Sequence, residues 1–191
     1  MRRTALTGLV AALALVAAGC GGEDDGGGGS GAQGVEPDAY AANVCGAISG
    51  WQKELQASVS TMSGKVGASS SPADIKKQLV SFMEAATAST QSMVTKVKGA
   101  GTPDVENGEA LQRDLVKGLE DAQTAFAAAR DDAKSLPEND PVAFQREAQE
   151  LSATLNREGT AIGQTFNGLS DKYDSDELNE AFDKEPACKT L

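Results

Sequence analysis

Large apolar residues recur along most of this chain at steps of three and four, the period of one helix face. The first stripe is Tyr40, Val44, Ile48, Trp51, Leu55, Val59, Met62 and Val66, and it breaks in a Gly/Ser-rich stretch around Gly64 and Gly67. The second is Ile75, Leu79, Phe82, Ala86, Thr90, Met93 and Val97. Ser71-Pro72-Ala73-Asp74 precedes it, with a capping Ser, a Pro at the first helical position and an acid in the first turn. It stops at Gly99-Ala100-Gly101. Thr102-Pro103-Asp104 repeats the same start grammar and predicts a third helix there. Its stripe is Leu111, Leu115, Leu119, Ala122, Phe126, Ala129, Ala133 and Leu136. Asp140-Pro141 opens a fourth, with Phe144, Ala148, Leu151, Leu155, Ile162, Phe166 and Leu169. A short fifth begins at Ser175, carries Leu178, Ala181 and Phe182, and ends before Pro186. Long helices joined by short loops pack most simply as antiparallel neighbours. The pattern therefore predicts an all-α fold: an up-down antiparallel four-helix bundle with a short C-terminal helix. No sustained period-two alternation predicts a sheet.

The first thirty-six residues follow a different rule. Arg2 and Arg3 precede a small apolar run from Thr4 to Ala18, which reads as an export signal. The run is shorter than the roughly 20 apolar residues of a membrane span. Val16-Ala17-Ala18-Gly19-Cys20 resembles the lipobox of bacterial lipoproteins, with Ala17 standing where Leu is usual. That resemblance implies cleavage between Gly19 and Cys20 and diacylation (palmitate-type chains) on Cys20. Two acyl chains anchor stably where one does not. An ordinary secretory signal with a free Cys20 is the plainer alternative. From Gly21 to about Glu36 the chain is mostly Gly, with Glu23, Asp24, Asp25 and Ser30, and no large apolar residue before Val35. Such a linker behaves as a disordered coil with a reach of roughly 20 Å. The expected organisation is a signal peptide over 1–19, a lipidated Cys20 and tether over 20–36, and a helical domain over 37–191.

Charge and cysteine usage narrow the partners. The chain has 191 residues, 17 basic and 28 acidic, for a net charge of −11. Loss of the signal removes two Arg and no acid, which makes the balance −13. Nucleic-acid binding depends on basic patches and is disfavoured. So is an electrostatic contact with anionic lipid, which leaves the acyl chains of Cys20 as the membrane contact. The acidic surface reads as solubility, or more sharply as recruitment of a basic partner. With Cys20 spent on lipid, Cys45 and Cys188 remain, and export favours a bridge between them. The bridge reads as a staple rather than a redox centre, because the chain has no CxxC.

The chain contains no His, which removes Ser-His-Asp triads, Cys-His nucleophiles and His metal ligands. No cofactor and no metal site is expected. No Walker or GxGxxG motif occurs outside the tether glycines. The acidic groups Asp131-Asp132, Glu147 with Glu150, and Asp171, Asp174, Asp176 and Glu177 read as helix-dipole and solvating charge. The last set departs from an EF-hand because Leu178 stands at a ligand position. Ser and Lys are too common for any particular Ser–Lys dyad to stand out. Gly159 and Gly163 interrupt the fourth helix beside Phe166. They predict close approach of a neighbouring helix or, alternatively, a recess that admits a small apolar ligand.

Tyr40, Val44-Cys45-Gly46 and Trp51 just after the tether, with Ala181-Phe182 and Pro186-Ala187-Cys188 at the end, resemble uncharacterised small secreted proteins and lipoproteins of actinobacteria. The resemblance implies an extracytoplasmic helical domain with a terminal disulfide and no established activity. The leading expectation is a non-enzymatic, lipid-anchored module on the outer face of the cell membrane, binding an envelope protein or a small ligand, or serving structurally. The alternative is capture or sensing of an apolar solute between the helices.

Overall fold

The computed structural model describes residues 34–67 and 69–191, except the side chains of Ile162, Thr165, Phe166, Asn167, Ser170 and Thr190. Five helices follow one another: α1 (Pro37–Lys65), α2 (Pro72–Gly99), α3 (Gly108–Ser135), α4 (Pro141–Lys172) and α5 (Asp176–Lys184), with a short 3-10 turn over Cys188–Thr190. There is no strand among the described residues. The chain is all-helical, and none of these helices is long and apolar enough to cross a membrane.

Three helix starts follow the sequence grammar. At α2, Ser71 and Asp74 form a reciprocal capping box, each side chain accepting the other's backbone N–H at 3.2 Å. At α4, Asp140 Oδ1 accepts from the N–H groups of Val142 and Ala143, both at 3.0 Å. At α5, Ser175 Oγ accepts from Leu178 N–H. These side chains satisfy first-turn N–H groups that have no intrahelical acceptor.

The third helix departs from expectation. It starts at Gly108, not at Thr102-Pro103-Asp104. Those three residues pair with Val35 through an isolated bridge at Pro103: the Val35 N–H donates to the Thr102 carbonyl (2.7 Å), and the Asp104 N–H donates to the Val35 carbonyl (2.8 Å). Pro fits this role, since it pushes the preceding residue toward extended backbone, and Pro103 is fully buried. Asn107 then turns the chain through the left-handed region (φ 61°) into α3. Through this pairing Val35, ahead of α1, packs on the core.

This docking explains which glycines are required. A Cβ on Gly34 would stand 2.8 Å from the Asp104 Cα, and one on Gly101 (φ +81°) would stand 2.7 Å from Val35 Cγ2. A Cβ on Gly108 would run into the Pro103 carbonyl oxygen. Gly159 and Gly163 behave in the opposite way. Both are exposed, with nothing within 4 Å of where a Cβ would stand, so no neighbouring helix approaches them and that expectation is corrected.

Consecutive helices pack side by side: α1 on α2, α2 on α3, α3 on α4. Side-chain ties show α2 and α3 antiparallel. Lys76 near the start of α2 donates to the Leu136 carbonyl just past α3, while Gln112 near the start of α3 donates to the Val97 carbonyl near the end of α2. Among the described residues α1 and α4 make no comparable contact. α5 packs on α1 instead.

The core is correspondingly divided. One cluster, at the end where α1 begins, joins Tyr40, Val44 and Ala47 to Met93, Val94, Val97, Leu111, Leu115, Leu119 and Leu178. The other, at the opposite end, joins Met83, Ala129, Ala133 and Leu151 without α1. Val59, on the far half of α1, is 44% exposed although it lies on the apolar stripe. The α2 surface alone covers that half.

The contrast between glycines is measurable by chemical denaturation. Gly108→Ala is expected to destabilise by about 1–3 kcal/mol, the range for an overpacked position. Gly159→Ala, in open space on a helix, is expected to stabilise by up to about 1 kcal/mol. Equal effects at the two sites would contradict this account of the loop.

Candidate functional site

At the α1-entry end a cavity of about 650 Å³ lies between α1, α3, α5 and the end of α4. It exists because of how the ends are arranged. α4 follows α3 and leaves α1 uncovered, and α5 crosses into the gap without filling it. α1 contributes Tyr40, Val44 and Ile48 to the wall, α3 contributes Leu111 and Leu115, and α4 contributes Leu169 and Tyr173. These sit at i, i+4 spacings on their helices, so each helix presents one strip to the cavity. α5 presents two adjacent strips. Leu178 and Phe182 are apolar, while Asn179 and Asp183 form a polar edge one residue further round.

The Cys45–Cys188 disulfide forms part of the wall, with the two Cα atoms 5.0 Å apart. It joins the third turn of α1 to the segment after α5, across a sequence separation of 143. In the chain-entropy picture, closing a loop of that size stabilises the fold by about 4–5 kcal/mol. Its local effect is to hold α5 against α1, helped by the edge-to-face packing of Tyr40 on Phe182, whose ring centroids are 6.4 Å apart.

The polar groups bordering the apolar wall are mostly engaged elsewhere. The Tyr40 hydroxyl donates to Gln112 Oε1 at 2.7 Å, and the Gln112 amide donates on to the Val97 carbonyl at 2.8 Å. This chain ties α1 to α3 and α2. Burial pushes the Tyr40 hydroxyl well above the ordinary tyrosine range, so it stays a protonated donor. The Tyr173 hydroxyl donates to Asp114 Oδ2 at 2.6 Å, and Lys172 Nζ approaches the same oxygen at 2.8 Å. The Lys172 bond, and then the Tyr173 bond, hold the Asp114 carboxyl down at about 2. Together they fasten the end of α4 to the start of α3. Trp51 lies further along α1, half-buried, and donates its indole N–H to Thr90 at 2.9 Å.

The sequence-predicted sites are distributed as follows. Gly19 and Cys20 lie outside the described residues. Cys45 and Cys188 are bonded to each other. Gly159 and Gly163 do not line the 650 Å³ cavity, which is walled by Leu169 and Tyr173 further along the same helix. The Phe166 side chain lies outside the described residues. Phe82 and Phe126 pack around the far core cluster, and Phe144 is buried. The acid groups are exposed apart from half-buried Glu147, with Asp131 bonded to Arg130 and Glu147 to Arg146. Among the described residues no group of three or more acids, Cys or His is placed to hold a metal ion.

The Asp114 clamp was not found from sequence. Its signal is an acid set between Leu111 and Leu115 on the α3 stripe, opposite a Lys-Tyr pair at the α4 terminus. In comparisons with protein-family models, curated proteins and solved structures, nothing matches this chain.

The clamp carries a pH signature. A carboxyl whose folded value is depressed contributes stability that is complete above its unfolded value and is lost as pH falls through the folded one. For Asp114 that window runs from the ordinary 3.8 down to about 2. An NMR titration of the side-chain carboxyl is expected to place its midpoint near 2. Lys172→Ala should raise that midpoint more than Tyr173→Phe does. A wild-type midpoint at the ordinary carboxylate value would remove the clamp.

Proposed function

We propose that this protein is a non-enzymatic, lipid-anchored extracytoplasmic module that captures a small apolar molecule in the cavity between α1, α3, α4 and α5. In this reading the four long helices act as an up-down bundle, and the Gly-rich segment after Cys20 is its disordered tether to the membrane. The observation that carries the reading is the cavity. Its volume of about 650 Å³ falls within the range of small-molecule sites, roughly 300–1,000 Å³. Its wall is built of Val, Ile, Leu and Phe with a few polar groups at one edge, which is the usual make-up of such sites. Binding rather than chemistry is favoured because the Tyr40 and Tyr173 hydroxyls that reach the wall are committed to Gln112 and Asp114. The anchoring half of the proposal rests on Arg2-Arg3, the apolar run and Val16-Ala17-Ala18-Gly19-Cys20.

Saturable uptake of a neutral apolar fluorophore such as phenylnaphthylamine tests the cavity. One equivalent is expected to bind the wild type, and Leu169→Trp or Ile48→Trp, which fill the cavity, should abolish the signal with helicity unchanged. Absence of saturable binding by the folded wild type would overturn the reading.

The anchor is tested separately. Labelling of producing cells with an alkyne-bearing palmitate should tag the wild type and not Cys20→Ser, which should also leave the membrane fraction. A Cys20→Ser protein that is still labelled and still membrane-bound would sink the anchor.

A further inference from the structure

We infer that the ligand of this cavity is a cationic amphiphile: an apolar tail carrying an amine or quaternary ammonium group that meets Asp183. The inference rests on the capture function proposed above and specifies its ligand class. Among the described residues Asp183 is the one formally charged side chain lining the cavity. It is exposed, and among the described residues it makes no hydrogen bond or ion pair, whereas its neighbour Lys184 is paired with Glu180. The nearest polar companion on the rim, Asn179, stands one turn earlier on the same edge of α5 and directs its amide donor away to Asp174 at 2.8 Å. The edge therefore offers acceptor oxygens and no positive group.

The geometry separates the two ends of the ligand. Leu178 and Phe182 face the apolar interior, while Asn179 and Asp183 lie at its margin, so tail and head are read by adjacent strips of one short helix. The charge of the whole chain, −11, works in the same direction by concentrating cations near the mouth and repelling carboxylates. A fatty acid of the same tail length would bring its own carboxylate against Asp183.

The test uses the full secreted chain carrying Cys20→Ser, so that no acyl chain of its own competes, with the Cys45–Cys188 bridge verified. Dodecyltrimethylammonium, dodecanol and dodecanoate, each below its micellar concentration, are compared as competitors of bound phenylnaphthylamine. The ammonium compound should compete about two- to fivefold better than dodecanol, the size of one exposed ion pair, and better still than dodecanoate, whose carboxylate Asp183 repels. Asp183→Asn should erase that preference while leaving fluorophore binding intact. Glu54→Gln, which removes one exposed negative charge away from the cavity, should keep the preference. Equal competition by all three tails, or a preference that survives Asp183→Asn, would overturn the ligand class and leave apolar capture standing. Failure of the folded chain to bind the fluorophore at all would overturn both.

Discussion

The tie between Cys45 and Cys188 is the constraint on which the cavity end of this molecule depends. Four long helices laid in chain order cover one another's faces pairwise, and the outer face of α1 is left for something else. α5 is nine residues long, too short to be a stable helix by itself. Its docking relies on Leu178, Ala181 and Phe182 against α1 and on the covalent link that follows it. With the link in place, α5 spans the gap beside α1 at one end of the fold. The cavity is the volume that a nine-residue helix cannot fill.

Two polar connections keep that volume from closing or spreading. Tyr40–Gln112–Val97 spaces α1 from α3 and α2 with hydrogen bonds of 2.7 and 2.8 Å, so the cavity floor is set by directional contacts as well as packing. Asp114 with Lys172 and Tyr173 pins the last turn of α4 to α3. Each connection uses a side chain that also borders the apolar wall, Tyr40 in one case and Tyr173 in the other. The wall is therefore positioned by groups whose hydrogen-bonding capacity is already committed, which suits a site that recognises shape and apolar surface.

Helix periods, three of the caps and the cysteine pairing were legible in the sequence because each depends on local spacing or simple counting. Ser71, Asp140 and Ser175 cap the helices they precede. Thr102-Pro103-Asp104 carries the same letters and does a different job, because Val35, almost seventy residues earlier, takes its backbone groups. A long-range pairing of that kind leaves no periodic trace. The glycines show the same division. Gly159 and Gly163 interrupt a helix, and they stand in open space. Gly34, Gly101 and Gly108 look like ordinary loop residues, and they are the ones another part of the chain approaches. The cavity was equally hidden, since Leu169, Tyr173, Leu178 and Phe182 read as core positions and become a wall because, among the described residues, α4 does not pack closely on α1.

That outcome has a physical logic for a domain of this size. A continuous core running the full length of four helices would have made Val59 and the far half of α1 part of it. Instead the far cluster is built from α2, α3 and α4 alone, and the near cluster recruits α1 and α5. α1 is thus held firmly over its first turns, by Val35, Tyr40 and Cys45, and more loosely beyond Trp51. The ordering contacts are concentrated around the cavity. The less covered half lies away from the disulfide and from both polar connections. The distribution of ordering contacts and the position of the cavity are consequences of the same choice, which is to close the α1 face with a strapped short helix.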